Sequence, residues 1–322
     1  MSFDGRRPSE FVTYLLDPGL VTSAGHVPLQ AYVSGASRSP RAAAALACLN
    51  SLMAGFSNSD ADLTLDEGVR RPRTYRGSRY FRDPLPGTPA EFALNELEAL
   101  QRQVRDRVGS GSGWRRVFTG QGVPESITDV MNFIVEHAST LAHLRMGREG
   151  TSVFAQYFLN EDGTLITPDQ SRDALLRMVD DEIFGYDCIG FVGNYLRWCG
   201  LFENYPEYDI PQYARLLRFN PISSLTQIEE RCVLLWLEDI GTRHIAIVDR
   251  VESSSASSAR VTICQSSGIG PQTNEHVSLS PMSDRCGLGD EPLNGAACFR
   301  LSGGTPRCPV TGKIVIGKRA AW

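Results

Sequence analysis

The chain has 322 residues, 42% of them hydrophobic and 21% charged, which is ordinary globular usage and excludes disordered or collagen-like structure. Its net charge of -5, from 32 basic and 37 acidic residues, is too balanced for whole-chain nucleic-acid binding. Lys313 and Lys318 are the lysines and the other 30 cations are arginines, a bias we read as GC-rich coding. The length suits about two domains of ~150 residues. No stretch reaches ~18 uninterrupted apolar residues, so no membrane span is expected. Residues Met1 to Arg7 lead into no apolar segment with a cleavage site, so the expectation is synthesis in the cytoplasm without a standard signal peptide. Work outside the cell then requires a dedicated export system.

In chain order, the apolar run Ala42 to Phe56 predicts a buried helix. An arginine run follows, Arg70, Arg71, Arg73, Arg76, Arg79 and Arg82, interleaved with Tyr75, Tyr80 and Phe81. Such a run can bind an anion, but with Asp66, Glu67 and Asp83 beside it we read a solvated loop. Thr88, Pro89 and Glu91 form a helix start, and Ala93, Leu97, Leu100, Val104 and Val108 supply one apolar stripe. Gly109 to Gly113 reads as a flexible linker. A second helix is expected from about Pro124 to Met146. It carries His137 and His143 six residues apart, on nearly opposite faces, which makes them poor partners for one metal. Phe154 to Leu159 predicts a short strand, and Thr167 to Gln170 opens another capped helix.

From Cys232 the pattern changes to strands. Cys232–Leu237, His244–Val251 and Arg260–Gln265 predict an antiparallel meander, with turn chemistry at Asp239 to Thr242 and a serine loop at 253–258. Further short strands are expected at Cys298–Leu301 and Lys313–Ile316. Seven of the eight cysteines lie in the second half, none in CxxC spacing, so no metal or other cofactor is expected. Reduced buried thiols account for most of them, and Cys286, Cys298 and Cys308 have the surroundings for one bridge after export.

The chemistry concentrates at Phe184-Gly185-Tyr186-Asp187-Cys188-Ile189-Gly190-Phe191-Val192. Ile189, Val192, Leu196 and Cys199 share a helical face, which puts Cys188 at a helix N-terminus. Unpaired backbone N–H groups there favour a thiolate, lower its pKa and can donate to an oxyanion. A thiol nucleophile needs a base, and His244, at the head of an apolar strand, is the best candidate. Asp187 reads as a bond to local backbone and Tyr186 as packing.

Asp187-Cys188-Ile189-Gly190-Phe191-Val192 resembles the Asp-Cys-Ser-Gly-Phe-Val motif of the NlpC/p60 group of papain-like cysteine peptidases. Arg243-His244-Ile245-Ala246-Ile247-Val248 is similar to that group's histidine strand. Ile263-Cys264-Gln265-Ser266-Ser267-Gly268 resembles the next strand, where a third, orienting residue lies. The resemblance covers residues 165–280. It departs at Ile189, where serine is usual, and at Arg231-Cys232, where Gly-Asp is common. The third position falls on Cys264 or Gln265, which face opposite sides of a strand; Gln265 is chosen because its carbonyl accepts from an imidazole N–H.

The resemblance implies an α+β fold, a papain-like domain with an antiparallel sheet and an N-terminal catalytic helix over residues 151–322. A mostly helical, loop-rich region of unknown role, residues 1–150, precedes it. It further implies a cysteine peptidase or amidase with Cys188, His244 and Gln265 as its triad, acting on peptidoglycan stem peptides as an exported antibacterial effector or lysin. An immunity or delivery protein is then an expected partner. The alternatives are an acyltransferase using the same thiol and a non-catalytic scaffold on a decayed hydrolase fold.

Overall fold

The structure is a computed structural model that describes residues 5–33, 40–54, 63–65, 89–109, 113–146, 151–152, 154–200, 219–236, 244–286, 295–308 and 312–319. The arginine run from Arg70 to Arg82 and the helix cap at Thr88 lie outside the described residues. In chain order come α1 (Pro8–Leu16), β1 (Leu20–Thr22), β2 (Gly25–Val27), α2 (Pro40–Ala54), β3 (Leu63–Leu65) and α3 (Pro89–Gly109). Then follow α4 (Trp114–Val117), α5 (Pro124–Glu136), α6 (Ala138–His143), β4 (Leu144–Met146), β5 (Thr151–Ser152), α7 (Ala155–Phe158), α8 (Ser171–Asp180) and α9 (Cys188–Trp198). The remainder is strand: β6 (Phe219–Pro221), β7 (Val233–Trp236), β8 (His244–Ser254), β9 (Ala259–Ser267), β10 (Gly270–Cys286), β11 (Ala296–Thr305) and β12 (Gly312–Arg319).

Two units divide the described residues. One comprises those within Met1–Gly19, Pro28–Tyr32 and Gly185–Trp322; the other, those within Leu20–Val27 and Val33–Phe184. Residues 151–184, which the sequence reading joined to the strand-rich half, cluster with the second unit.

The second unit is helical with small sheets. β1 pairs with β2, and β3, β4 and β5 form a three-stranded antiparallel sheet. The expected helix from Pro124 to Met146 is two helices that break at His137, followed by strand β4. Phe154 to Leu159, expected as a strand, holds helix α7. A short apolar run is ambiguous between the two states, and here Tyr157 and Phe158 are buried from one helical turn. Tyr157 Oη donates to Asp181 at 2.6 Å and Arg177 donates to the Tyr157 carbonyl, which anchors the turn to α8. Trp114 is held by Asp129 at 2.7 Å and crosses Phe133 edge to face.

The first unit corrects the expected fold class. It is not a papain-like helix-plus-sheet domain but a closed antiparallel barrel of six strands, in the order β7-β8-β9-β10-β11-β12, with β6 as an extra strand on β12. Closure depends on β12, which pairs with β7 through Ile314↔Trp236 and with β11 through Phe299↔Ile314. Closing the sheet removes the open edges that a flat meander would expose. Alternate residues point inward: Leu234 and Trp236, Ala246 and Val248, Val261 and Ile263, Val277 and Leu279, Phe299 and Leu301, Ile314 and Ile316. Side chains fill so small a barrel completely, so its middle is a packed core.

On the outside, α1 and α9 pack against β8 and β9. Phe11 of α1 meets Phe191, Tyr195 and Trp198 of α9 at 5.5–6.2 Å between ring centroids. The head of α1 is capped from the barrel, where the buried Asp249 of β8 accepts from the Ser9 backbone N–H at 2.8 Å. Cys286 and Cys298 form a disulfide between β10 and β11, while Cys308 is a buried thiol outside that bridge.

Candidate functional site

The site lies in the barrel unit, where α9 begins against β8. Asp187 caps α9 through its side chain, Oδ1 accepting from the Gly190 N–H, so Cys188 occupies the first helical position. The turn before it is clamped on two sides. Ser266 Oγ of β9 donates to the Tyr186 carbonyl at 2.7 Å, and the Tyr186 N–H donates to the Ala31 carbonyl. Tyr186 is fully buried, as packing requires. The backbone N–H groups of Ile245, Ile189 and Cys188 face the sulfur and favour its anion.

Those donors do not decide the acidity of the thiol. Burial, followed by the neighbouring Asp187 charge, pushes Cys188 up to about 12, so the low pKa expected from a helix N-terminus is corrected. Cys188 is only 6% exposed, and the loss of hydration outweighs the helix dipole.

His244 is the first residue of β8 and is also 6% exposed. Its parity is that of Ala246 and Val248, so it faces inward at one end of the barrel. Gln265 of β9 has the same inward parity and is completely buried. The two side chains meet at 2.5 Å, His244 Nε2 to Gln265 Oε1. Cys264, the other candidate for the third position, faces the opposite side and bonds Thr273 at 3.4 Å. Trp236, opposite His244 on β7, covers the imidazole edge to face at 4.8 Å. Burial pushes His244 down to about 4 against the opposing pull of the Gln265 hydrogen bond. The imidazole is therefore neutral at physiological pH. With Oε1 against it, Nε2 carries the proton and Nδ1 keeps the lone pair.

The three expected residues thus converge unequally. Gln265 is brought to His244 in a direct bond. Cys188 is brought beside the backbone of Ile245, on the outer side of β8 where α9 packs, whereas the His244 ring faces the barrel interior, and among the described residues no hydrogen bond joins the sulfur to the imidazole. Compared with models of known protein families, with curated proteins and with solved structures, the chain matches none.

One site residue escaped the sequence reading. Tyr32 forms a parallel bridge with Tyr186, and its hydroxyl lies near enough to Cys188 and Asp187 to feel both charges. Burial first, then those two charges, hold it protonated, well above the ordinary tyrosine range. Residues 28–32 reach this place because the β9–β10 turn admits them: Gly270 has φ +88°, and a Cβ there would collide with the Gln30 carbonyl. No local signal marks a tyrosine 156 positions before the thiol.

Proposed function

We propose that this chain is a thiol-dependent hydrolase of peptide or amide bonds, with Cys188 as nucleophile, His244 as base and Gln265 as its orienting group. The observation that carries the reading is the inward pair His244–Gln265 at the end of β8 where the N-terminus of α9 presents Cys188. The resemblance of the cysteine and histidine segments to NlpC/p60 motifs supports peptidoglycan stem peptides as the substrate.

Thiol and imidazole are both neutral at rest, so proton transfer accompanies attack rather than preceding it. In this reading the neutral His244 imidazole takes the thiol proton as sulfur bonds to the substrate carbonyl carbon, which requires the ring, at the rim of the barrel, to reach past the Ile245 N–H that faces the sulfur. The carbonyl oxygen becomes an oxyanion beside the N–H groups of Cys188 and Ile189. His244 then gives its proton to the departing amine, leaving an acyl thioester. Water adds to that thioester with His244 again as base, releasing the acid and restoring the thiol. Tyr32, held protonated, supplies one further donor next to the sulfur.

The test is digestion of intact peptidoglycan by purified wild-type protein and by Cys188→Ala, with released fragments identified by mass spectrometry. The reading predicts fragments from the wild type alone. The missing Cys188–His244 hydrogen bond favours a second reading, a non-catalytic scaffold, and equal silence from both proteins would select it.

A further inference from the structure

The amide of Gln265 can present either its oxygen or its nitrogen to His244, and only the first leaves Nδ1 free as a base. What chooses between them lies one shell further into the barrel. Gln265 Nε2 donates to Asn274 Oδ1 at 2.7 Å and lies 3.3 Å from the Cys308 sulfur. Asn274 Nδ2 donates in turn to the Pro306 carbonyl at 2.9 Å and to Gln272 Oε1 at 3.3 Å. Gln265 and Asn274 are both completely buried, so water cannot substitute for a lost partner.

The chain of amides has a direction, and its end sets it. A backbone carbonyl can only accept. Asn274 must therefore turn Nδ2 toward Pro306 and Oδ1 toward Gln265. Gln265 must then turn Nε2 toward Asn274 and Oε1 toward His244, which leaves the ring proton on Nε2. Reversing the Gln265 amide requires reversing Asn274, and that would set two carbonyl oxygens, Asn274 Oδ1 and Pro306 O, against each other in a buried site. Cys308 cannot make this choice, because a thiol is a weak donor and a weak acceptor.

We infer that Asn274, anchored on the Pro306 carbonyl, is a positioning residue that fixes the Gln265 amide and through it the protonated nitrogen of His244. The inference rests on the hydrolase reading for its use, but not for its test. Two-dimensional ¹⁵N–¹H NMR of the His244 ring reports which nitrogen bears the proton and how fast that proton exchanges, whether or not the protein hydrolyses anything. The wild type is expected to show a slowly exchanging proton on Nε2. Asn274→Leu, which removes the acceptor, should give fast exchange and a mixture of the two tautomers. Asn274→Asp, whose fully buried carboxyl stays protonated by donating its O–H to the Pro306 carbonyl, keeps an oxygen for Gln265 Nε2 and should restore the wild-type signal.

A folded Asn274→Leu protein with the wild-type Nε2 signal would overturn the inference. So would a folded Asn274→Asp protein that loses it. If Asn274→Leu does not fold, the wild type still decides, because a proton found on Nδ1 refutes the relay outright. Loss of the relay with peptidoglycan digestion intact would leave the hydrolase reading standing; an intact relay with no digestion would do the reverse.

Discussion

Truncating Asp249 to alanine tests how the N-terminal helix is fastened to the barrel that carries the site. Asp249 Oδ1 accepts from the Ser9 N–H, the second residue of α1, at 2.8 Å. Arg7 at the N-cap has no side-chain oxygen to offer, Pro8 has no N–H, and Glu10 reaches back only to the Arg7 N–H at 2.9 Å, so the acceptor for Ser9 comes from β8, 240 positions away. Loss of an N-cap acceptor costs about 1 kcal/mol, and loss of a carboxylate from a helix N-terminus about 0.3–1 kcal/mol more. The bond is part-buried, so water only partly replaces the lost acceptor and the total is about 2 kcal/mol. For a unit of this size that lowers the midpoint by about 4–8 °C. Asp249→Asn keeps an acceptor and should lose no more than about half as much. Thermal and urea unfolding of the three proteins measure both values. A loss below about 0.5 kcal/mol in Asp249→Ala would refute the cap. A large loss in Asp249→Ala matched by an equal loss in Asp249→Asn would show that charge, not acceptance, holds α1.

The buried histidine gives a pH signature. Its folded pKa of about 4 lies below the unfolded 6.5, so the unfolded chain binds the extra proton between those values. Stability should fall as pH drops through that window, by up to about 3 kcal/mol in all, and His244→Gln should flatten this part of the profile. With Cys188 pushed up to about 12, iodoacetamide should label it slowly at pH 7 and faster as pH rises; rapid, pH-independent labelling between pH 6 and 8 would contradict the neutral resting pair. Cys286→Ser opens a bridge that spans 12 positions and should destabilise the barrel by up to about 3 kcal/mol under oxidising conditions, with no effect once the wild type is reduced.

Local sequence carried the meander and missed its closure. Val233–Trp236, His244–Ser254 and Ala259–Ser267 form where continuous apolar or alternating residues announce them. β10 went unread because Pro271, Pro281 and bulges between Asn274 and Val277 and between Pro281 and Arg285 break its alternation. The pairing Ile314↔Trp236 that shuts the barrel joins positions 78 apart, and no window of a dozen residues contains it. The resemblance to NlpC/p60 motifs pointed to the cysteine and the histidine but carried an architecture that the strands do not form. Strand parity separated Gln265 from Cys264 once His244 was placed on the inward face. The thiol's acidity is hidden from sequence for a different reason. A helix N-terminus is visible in sequence, whereas the depth at which it is buried is a property of α9, β8 and residues 28–32 together.

The central claim is covalent catalysis by Cys188, and a rapid acid quench of wild-type protein mixed with peptidoglycan stem peptides tests it most directly. Peptide mapping should find an acyl adduct on the Cys188 peptide that hydroxylamine removes, absent from Cys188→Ala and scarce in His244→Ala. Cleaved fragments with no adduct, an adduct on another cysteine, or unchanged turnover by Cys188→Ala would contradict the account.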